Sequence, residues 1–283
     1  MPKLESTKRL LRRCFTSIPF FILLGLTIGT ATAIPLIPQP KIATITISDV
    51  LMDQTTVDDI VKALTSARED NSIKAVVLEI DSPGGYVVTT EQIYLDVLRL
   101  REKKPVVASV KAMAASGGYY IAVAANYIYA QPTSLVGSVG ARSSLPEPEG
   151  LDETSLTTGL FKASGGSKRS AIADLEMVRQ EFVSAVTSQR GSRLKITEEK
   201  LSQAELYFGV ESLRYGMIDA IGTRTDAIEK AAELAGIRNY EMLELYVPEP
   251  FALFFFFGSA DWDKLKAQTS TVPVYYYLHF ESE

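Results

Sequence analysis

The sequence predicts an α/β layered domain behind an uncharged, apolar N-terminal segment. Three observations carry that expectation. From Lys41 onward, short β-branched apolar runs alternate with segments whose apolar residues recur at helical spacing. Residues 14–40 carry no charge, directly after a basic stretch. Glycine pairs and small residues gather at strand-to-helix transitions, at Gly84-Gly85 and Gly117-Gly118. At 283 residues, 46% hydrophobic and 22% charged, the chain is too apolar for a disordered protein. Its length allows one large domain or two small ones.

Charge is unevenly placed. Residues 1–13 hold Lys3, Lys8, Arg9, Arg12 and Arg13 against Glu5, while the whole chain carries −5. The body is therefore acidic, which argues against nucleic acid, whose phosphates need a basic face. The run from Cys14 to Pro40 is densest in apolar residues over Ile18–Ile34. A bilayer core needs about 20 such residues in a helix. Residues 1–13 then read as a basic cytoplasmic segment and 14–38 as a transmembrane anchor, with the rest of the chain on the extracytoplasmic side. The alternative is a secretory signal peptide cut after Ala31-Thr32-Ala33.

Each element of the body follows from its pattern. Ile42 to Ser48 reads as a strand. Val57, Ile60, Val61, Leu64 and Ala67 read as one helix face, with Thr56 as N-cap. Ile73–Ile80 and Pro105–Val110 are short apolar runs suited to buried strands. Glu91–Arg101 and Gly117–Ala125 read as helices, and Tyr127–Ala130 as a strand. Ala171–Arg190 places Leu175, Val178, Phe182 and Val186 on one stripe ending at Gly191. Glu211–Tyr215 and a helix capped by Asp226 follow. Ala141–Thr158 is the weakest stretch for regular structure. Phe254–Phe257 and Tyr275–Tyr277 make an aromatic tail, expected to pack on a partner subunit, the core or a membrane face.

Three segments could do chemistry. Asp81-Ser82-Pro83-Gly84-Gly85 follows a buried strand, and its glycines let backbone N–H groups approach a ligand. Read alone, it is better taken as an ordinary strand-to-helix turn. Ala114-Ala115-Ser116-Gly117-Gly118 puts one hydroxyl among small residues before an apolar helix, as a nucleophile or as an inert N-cap. Gly159-Leu160-Phe161-Lys162-Ala163-Ser164 offers an amine between apolar or small neighbours. A serine nucleophile needs a base. The only histidine, His279, lies in the Tyr-rich tail with no evident orienting partner, and the only cysteine, Cys14, excludes a disulfide framework or a multi-cysteine metal site. A lysine can serve as the base if it is neutral, which requires a drop of about three units from the reference pKa of about 10.4. Desolvation produces that drop, and Lys162 fits better than Lys168, which adjoins Arg169.

Taken together, Ser82-Pro83-Gly84-Gly85, Ala115-Ser116-Gly117-Gly118-Tyr119-Tyr120 and the downstream Gly-x-Phe-Lys resemble the signal peptide peptidase A family of Ser-Lys proteases. Gly137-Ser138-Val139-Gly140 resembles the family's Gly-Ser-Ile-Gly stretch, and Arg169 the basic residue that usually follows the catalytic lysine. Phe182, Arg190 and Gly216-Met217-Ile218-Asp219 resemble the helical end of the same domain. The likeness spans about Ile42 to Gly236. It implies a ClpP/crotonase-like spiral of ββα units at about 41–240, with an N-terminal transmembrane helix and frequent homo-oligomers; the aromatic-rich tail at 241–283 lies outside the likeness. It implies Ser116 as nucleophile, Lys162 as general base, and Gly85 and Gly117 as oxyanion-hole donors. Peptides within or near membranes are the implied substrates, signal-peptide remnants among them, with no cofactor or metal. The sequence departs from the family where the stretch between Gly140 and Lys162 is short and acidic and where Phe161 replaces a frequent Tyr or His. A crotonase-type acyl-CoA enzyme and a non-catalytic anchored scaffold are the rival functions.

Overall fold

The structure is a computed structural model that describes residues 18–33, 39–144, 158–159, 161–162, 165–246 and 275–278. Most of Ala141–Thr158, Phe254–Phe257 and His279 lie outside the described residues. The chain divides into two units, 1–39 and 40–283.

In the first unit, helix α1 spans Ile18–Ala33, 16 residues. At about 1.5 Å per residue it is shorter than a hydrocarbon core of about 30 Å. Among the described residues, no helix is long and apolar enough to cross a membrane. Phe21, Leu23 and Leu26 are exposed along α1. Its hydroxyls turn back on the helix: Thr30 donates to the Leu26 carbonyl and Thr32 to that of Ile28.

The second unit opens with β1 (Lys41–Leu51), α2 (Gln54–Glu69), β2 (Ile73–Tyr86), α3 (Val87–Arg101) and β3 (Val106–Ala115). β1, β2 and β3 are parallel, with Ile45 opposite Leu78 and Leu78 opposite Ala108. Their near-continuous apolar sequences suit strands covered on both faces. Helix α2 starts before Thr56 because the Asp53 carboxylate accepts from the Thr56 N–H at 2.9 Å. Asp53 is therefore the N-cap and Thr56 the donor to it.

Next come α4 (Gly117–Ala122), β4 (Tyr127–Ala130), β5 (Leu135–Gly137) and β6 (Arg142–Ser143). The long helix α5 (Lys168–Arg190) stops at Gly191, φ 52°. It is followed by α6 (Glu198–Leu201), β7 (Leu206–Phe208), α7 (Gly209–Arg214), β8 (Ala220–Ile221) and α8 (Arg224–Ala235). Thr223 is the N-cap of α8, and Asp226 instead closes the capping box by accepting from the Thr223 N–H at 2.7 Å. Two strands end the described chain, β9 (Glu241–Tyr246) and β10 (Tyr275–Leu278).

All ten strands form one sheet among the described residues. β9 pairs with β1, β4 with β3, and β8 with β4, all parallel. One face buries Ile45, Leu78, Ile80, Tyr119 and Phe182; the other buries Ile42, Val77, Val107, Ala227 and Ala231. Beyond the sheet, the Arg190 guanidinium, 1% exposed, grips the Asp219 carboxylate at 2.8 and 2.9 Å. Arg190 also donates to the Gly216 carbonyl, and Asp219 accepts from the Ile128 N–H. Two sequence segments that resembled a family signature are thus one buried ion pair tying α5 to the start of β4.

Candidate active site

The site forms where β2 and β3 end. Ser82 stands opposite Ala114 across the parallel pair, so the Ser-Pro-Gly-Gly turn and the Ala-Ser-Gly-Gly turn are neighbours by register. Their approach is close enough to require glycine. A Cβ on Gly117 would lie 3.2 Å from the Gly84 Cα and 2.8 Å from the Thr90 Oγ1, and one on Gly118 would lie 2.6 Å from the Ser82 carbonyl oxygen. Gly84 adopts φ 108°, a conformation side chains disfavour, and its N–H donates to the Ser82 Oγ at 3.1 Å.

Ser116 is the link between β3 and α4. Its φ of 51° with ψ −118° lies outside the wells open to a residue with a Cβ. The conformation is held from both sides. The Ser116 N–H donates to the Gly137 carbonyl at 2.8 Å, and its carbonyl accepts from the Tyr120 N–H at 2.9 Å. The following helix is entirely buried and anchored by the Tyr119 hydroxyl on the Met217 carbonyl at 2.8 Å. Tyr120 packs against Tyr94 and Phe182, and burial pushes its hydroxyl pKa up.

Among the described residues, the hydroxyl has no hydrogen-bond partner. Ser116 stands at the N-cap position, yet its side chain makes no capping hydrogen bond. The residue as a whole is 1% exposed. A capping serine would point its oxygen back at the helix; this one does not.

The other expected site residues are placed less uniformly. Gly117 begins α4, so its N–H has no acceptor within the helix. Gly85 packs on β1, where a Cβ would lie 2.1 Å from the Leu51 carbonyl oxygen. That contact alone would demand glycine, with or without a catalytic role. Lys162 sits in a turn, its N–H on the Gly159 carbonyl at 3.1 Å, and its side chain is exposed. Among the described residues no hydrogen bond joins its Nζ to Ser116. Ser116, Gly84, Gly85 and Gly117 are therefore brought together by strand register, and Lys162 is not joined to them by any described contact.

Two further residues shape the site, and only Thr90 carries no motif-level signal of its own. Thr90 is fully buried, donates to the Tyr86 carbonyl at 2.7 Å and walls in Gly117. Gly137, at φ 126°, turns its carbonyl onto the Ser116 N–H. The sequence marks Gly137 through its Gly-Ser-Val-Gly segment, but not its hydrogen bond to Ser116. Among the described residues, no group of three or more His, Cys, Asp or Glu is arranged to hold a metal.

Comparison with known proteins supplies the family. Residues 99–238 match the family model described as peptidase family S49. A Methanocaldococcus jannaschii protein provisionally named a protease is 32% identical over 69% of this chain and 67% of its own length. Protease 4 of Salmonella typhi is 33% identical over 69% of this chain, a match that spans 34% of that longer protein. A solved structure titled as a membrane-bound stomatin-specific protease superposes with a TM-score of 0.52 at 17% identity, covering 75% of this chain and 99% of that one. That likeness is one of fold. The class defined by fold and site is that of a serine protease. The chain belongs to peptidase family S49, the signal peptide peptidase A family.

Proposed function

We propose that this chain is a membrane-anchored serine endopeptidase working through a Ser116–Lys162 dyad, on a ClpP/crotonase-like spiral of ββα units that assembles into homo-oligomers. The observation that carries the reading is the Ser116 hydroxyl, uncommitted to any cap and presented from a strained link between a buried strand and a buried helix. Lys162, as a neutral amine, takes the Ser116 proton while the Oγ attacks a peptide carbonyl. The N–H groups of Gly117 and Gly85 hold the oxyanion, and the lysine returns the proton to the leaving amine. Water then releases the acyl group from Ser116. Lys162 has to move from its exposed turn into an apolar setting beside Ser116 for this, and contact with a second copy of the chain is the proposed route.

The substrates proposed are hydrophobic or membrane-associated peptides, signal-peptide remnants among them. The exposed apolar face of α1 and its self-bonded threonines support an anchor over residues 14–38, holding the catalytic unit on the extracytoplasmic side. A mature chain found to begin at Ile34 would overturn the anchor. For the dyad, Ser116→Ala and Lys162→Ala are each expected to abolish hydrolysis of apolar peptides with an unchanged circular dichroism spectrum. Wild-type turnover in either variant overturns it.

A further inference from the structure

We propose that the Arg101 and Arg193 guanidiniums form a binding site for a phosphate-type oxyanion, at the end of the sheet remote from Ser116. The proposal does not depend on the peptidase reading.

The cluster forms where helices end and strands begin. Arg101 closes α3, Arg193 closes the turn Gly191–Arg193 after α5, and Ala125 lies just before β4. The Arg101 fork donates to the Ala125 carbonyl at 3.4 Å and to the Gln189 Oε1 at 2.7 Å. Arg193 donates to the Gln189 main-chain carbonyl at 2.7 Å, so one residue ties the two guanidiniums together. The Gln189 amide is fixed in turn, because its Nε2 donates to the Tyr94 hydroxyl at 3.3 Å. The whole length of β3, from Val106 to Ala115, separates this end of the sheet from Ser116.

Charge is out of balance there. Hydrogen bonds link Arg101, Gln189, Arg193, Asp219 and Arg190 into one chain, in which three cations face a single carboxylate. Arg190 already grips both oxygens of Asp219. Among the described residues Arg101 makes no ion pair, and its two acceptors are neutral amide oxygens. Burial pushes the Tyr94 hydroxyl pKa up, so that group supplies no counter-charge. Burial, with the nearby Arg193 charge, holds the Arg101 pKa below its ordinary value, and exposed Glu102 does not offset them. Carbonyls at helix ends explain why arginines gather here, but those dipoles carry only fractions of a charge. Each guanidinium also keeps N–H groups in reserve: Arg101 uses two of its donors and Arg193 three. Arg101 is half-buried and the Arg193 side chain is 44% exposed, so an anion reaches both from solvent. A planar carboxylate answers one fork, whereas a phosphate offers oxygens in three directions and answers two. A lipid headgroup and a free phosphate share that chemistry.

The test uses the full chain in neutral detergent, with inorganic phosphate as the probe. Isothermal titration, against chloride at equal ionic strength, is expected to show one phosphate per chain with a Kd of about 1 mM or tighter. Arg101→Gln is expected to weaken binding about tenfold or more. No saturable binding, or equal affinity in Arg101→Gln, overturns the proposal. Arginine modification of the unsubstituted chain guards against misfolding of that variant. Saturating phosphate should slow phenylglyoxal adducts at Arg101 and Arg193, read by mass spectrometry, and leave exposed Arg169 unchanged. Uniform slowing, or none, overturns the proposal equally. The same modification in phosphatidylglycerol nanodiscs without free phosphate separates the sources. Protection of Arg101 there assigns the anion to a lipid headgroup, protection confined to added phosphate assigns it to the free ion, and protection in neither arm overturns the site.

Discussion

Ser116 donates its backbone N–H to the carbonyl of Gly137 at 2.8 Å while holding a φ of 51°. A serine in that conformation stores roughly 1–3 kcal/mol of strain. Glycine adopts it freely, and alanine does not. Ser116→Gly is therefore expected to be about 1 kcal/mol more stable than Ser116→Ala, although both remove the hydroxyl. Thermal or urea unfolding of the two variants checks this. Equal stability would mean that the backbone relaxes and the strain is absent.

Gly117 lies against Thr90 so closely that both Oγ1 and Cγ2 stand within 2.9 Å of where a Cβ would be. Gly117→Ala is expected to cost about 1–3 kcal/mol through overpacking. Adding Thr90→Ala removes both obstructing atoms, so the double variant should regain part of that stability, with a coupling of about 0.5–3 kcal/mol. Strict additivity in a double-mutant cycle would contradict the packing described.

The buried pair Arg190–Asp219 makes a separate prediction. Each side chain is nearly sealed from water, and each also satisfies backbone groups. Removing one partner strands the other charge, so Asp219→Ala should destabilise the chain by about 3–5 kcal/mol. Chemical denaturation measures it, and a loss below about 1 kcal/mol would show that solvent reaches the pair.

Glu79 supplies a pH dependence. Burial alone would raise its carboxyl pKa, but hydrogen bonds and charge from Arg224 and Lys111 outweigh burial and hold it below the ordinary value of 4.5. The Lys111 ammonium lies 2.9 Å away. Because the folded value is the lower one, the group's contribution is complete above the ordinary carboxylate range. It is lost as pH falls from 4.5 through the depressed folded value. Glu79→Gln should therefore lower stability by about 1–3 kcal/mol at neutral pH. The gap from the unsubstituted chain should shrink as acid is added. A gap that stays constant or widens on acidification would contradict the ion pairs.

Much of this architecture is legible in the residues, and the exceptions have physical causes. Tyr127–Ala130 is both the expected and the observed strand, because a run of alternating burial bounded by loops leaves little choice. Helix α5 ends where Gly191 permits its positive φ. The start of α2 differs from expectation because a carboxylate three residues upstream competes successfully for the Thr56 amide. The two- and three-residue strands β5 to β8 are too short to show periodicity, and each exists only because a neighbouring strand offers an edge.

The pairing of Tyr275–Leu278 with Gly84–Tyr86 is settled by where β3 leaves the sheet, which no local pattern in the tail encodes. At the site, small residues marked Ser116 and the glycines as candidates, and the family resemblance supplied their proposed roles. Its walls, Thr90 and the Gly137 carbonyl, arise from tertiary packing. Lys162 is recognisable as a motif residue, but whether an amine is neutral depends on what encloses it, and enclosure is not a local property.

Site-resolved mass spectrometry after treatment with a fluorophosphonate tests the nucleophile most directly. An adduct on Ser116 alone is expected, forming about 100-fold or more slowly once Lys162 is replaced by alanine. A chain that cleaves peptides yet carries no adduct on Ser116, or labels there at an undiminished rate without Lys162, would contradict the dyad.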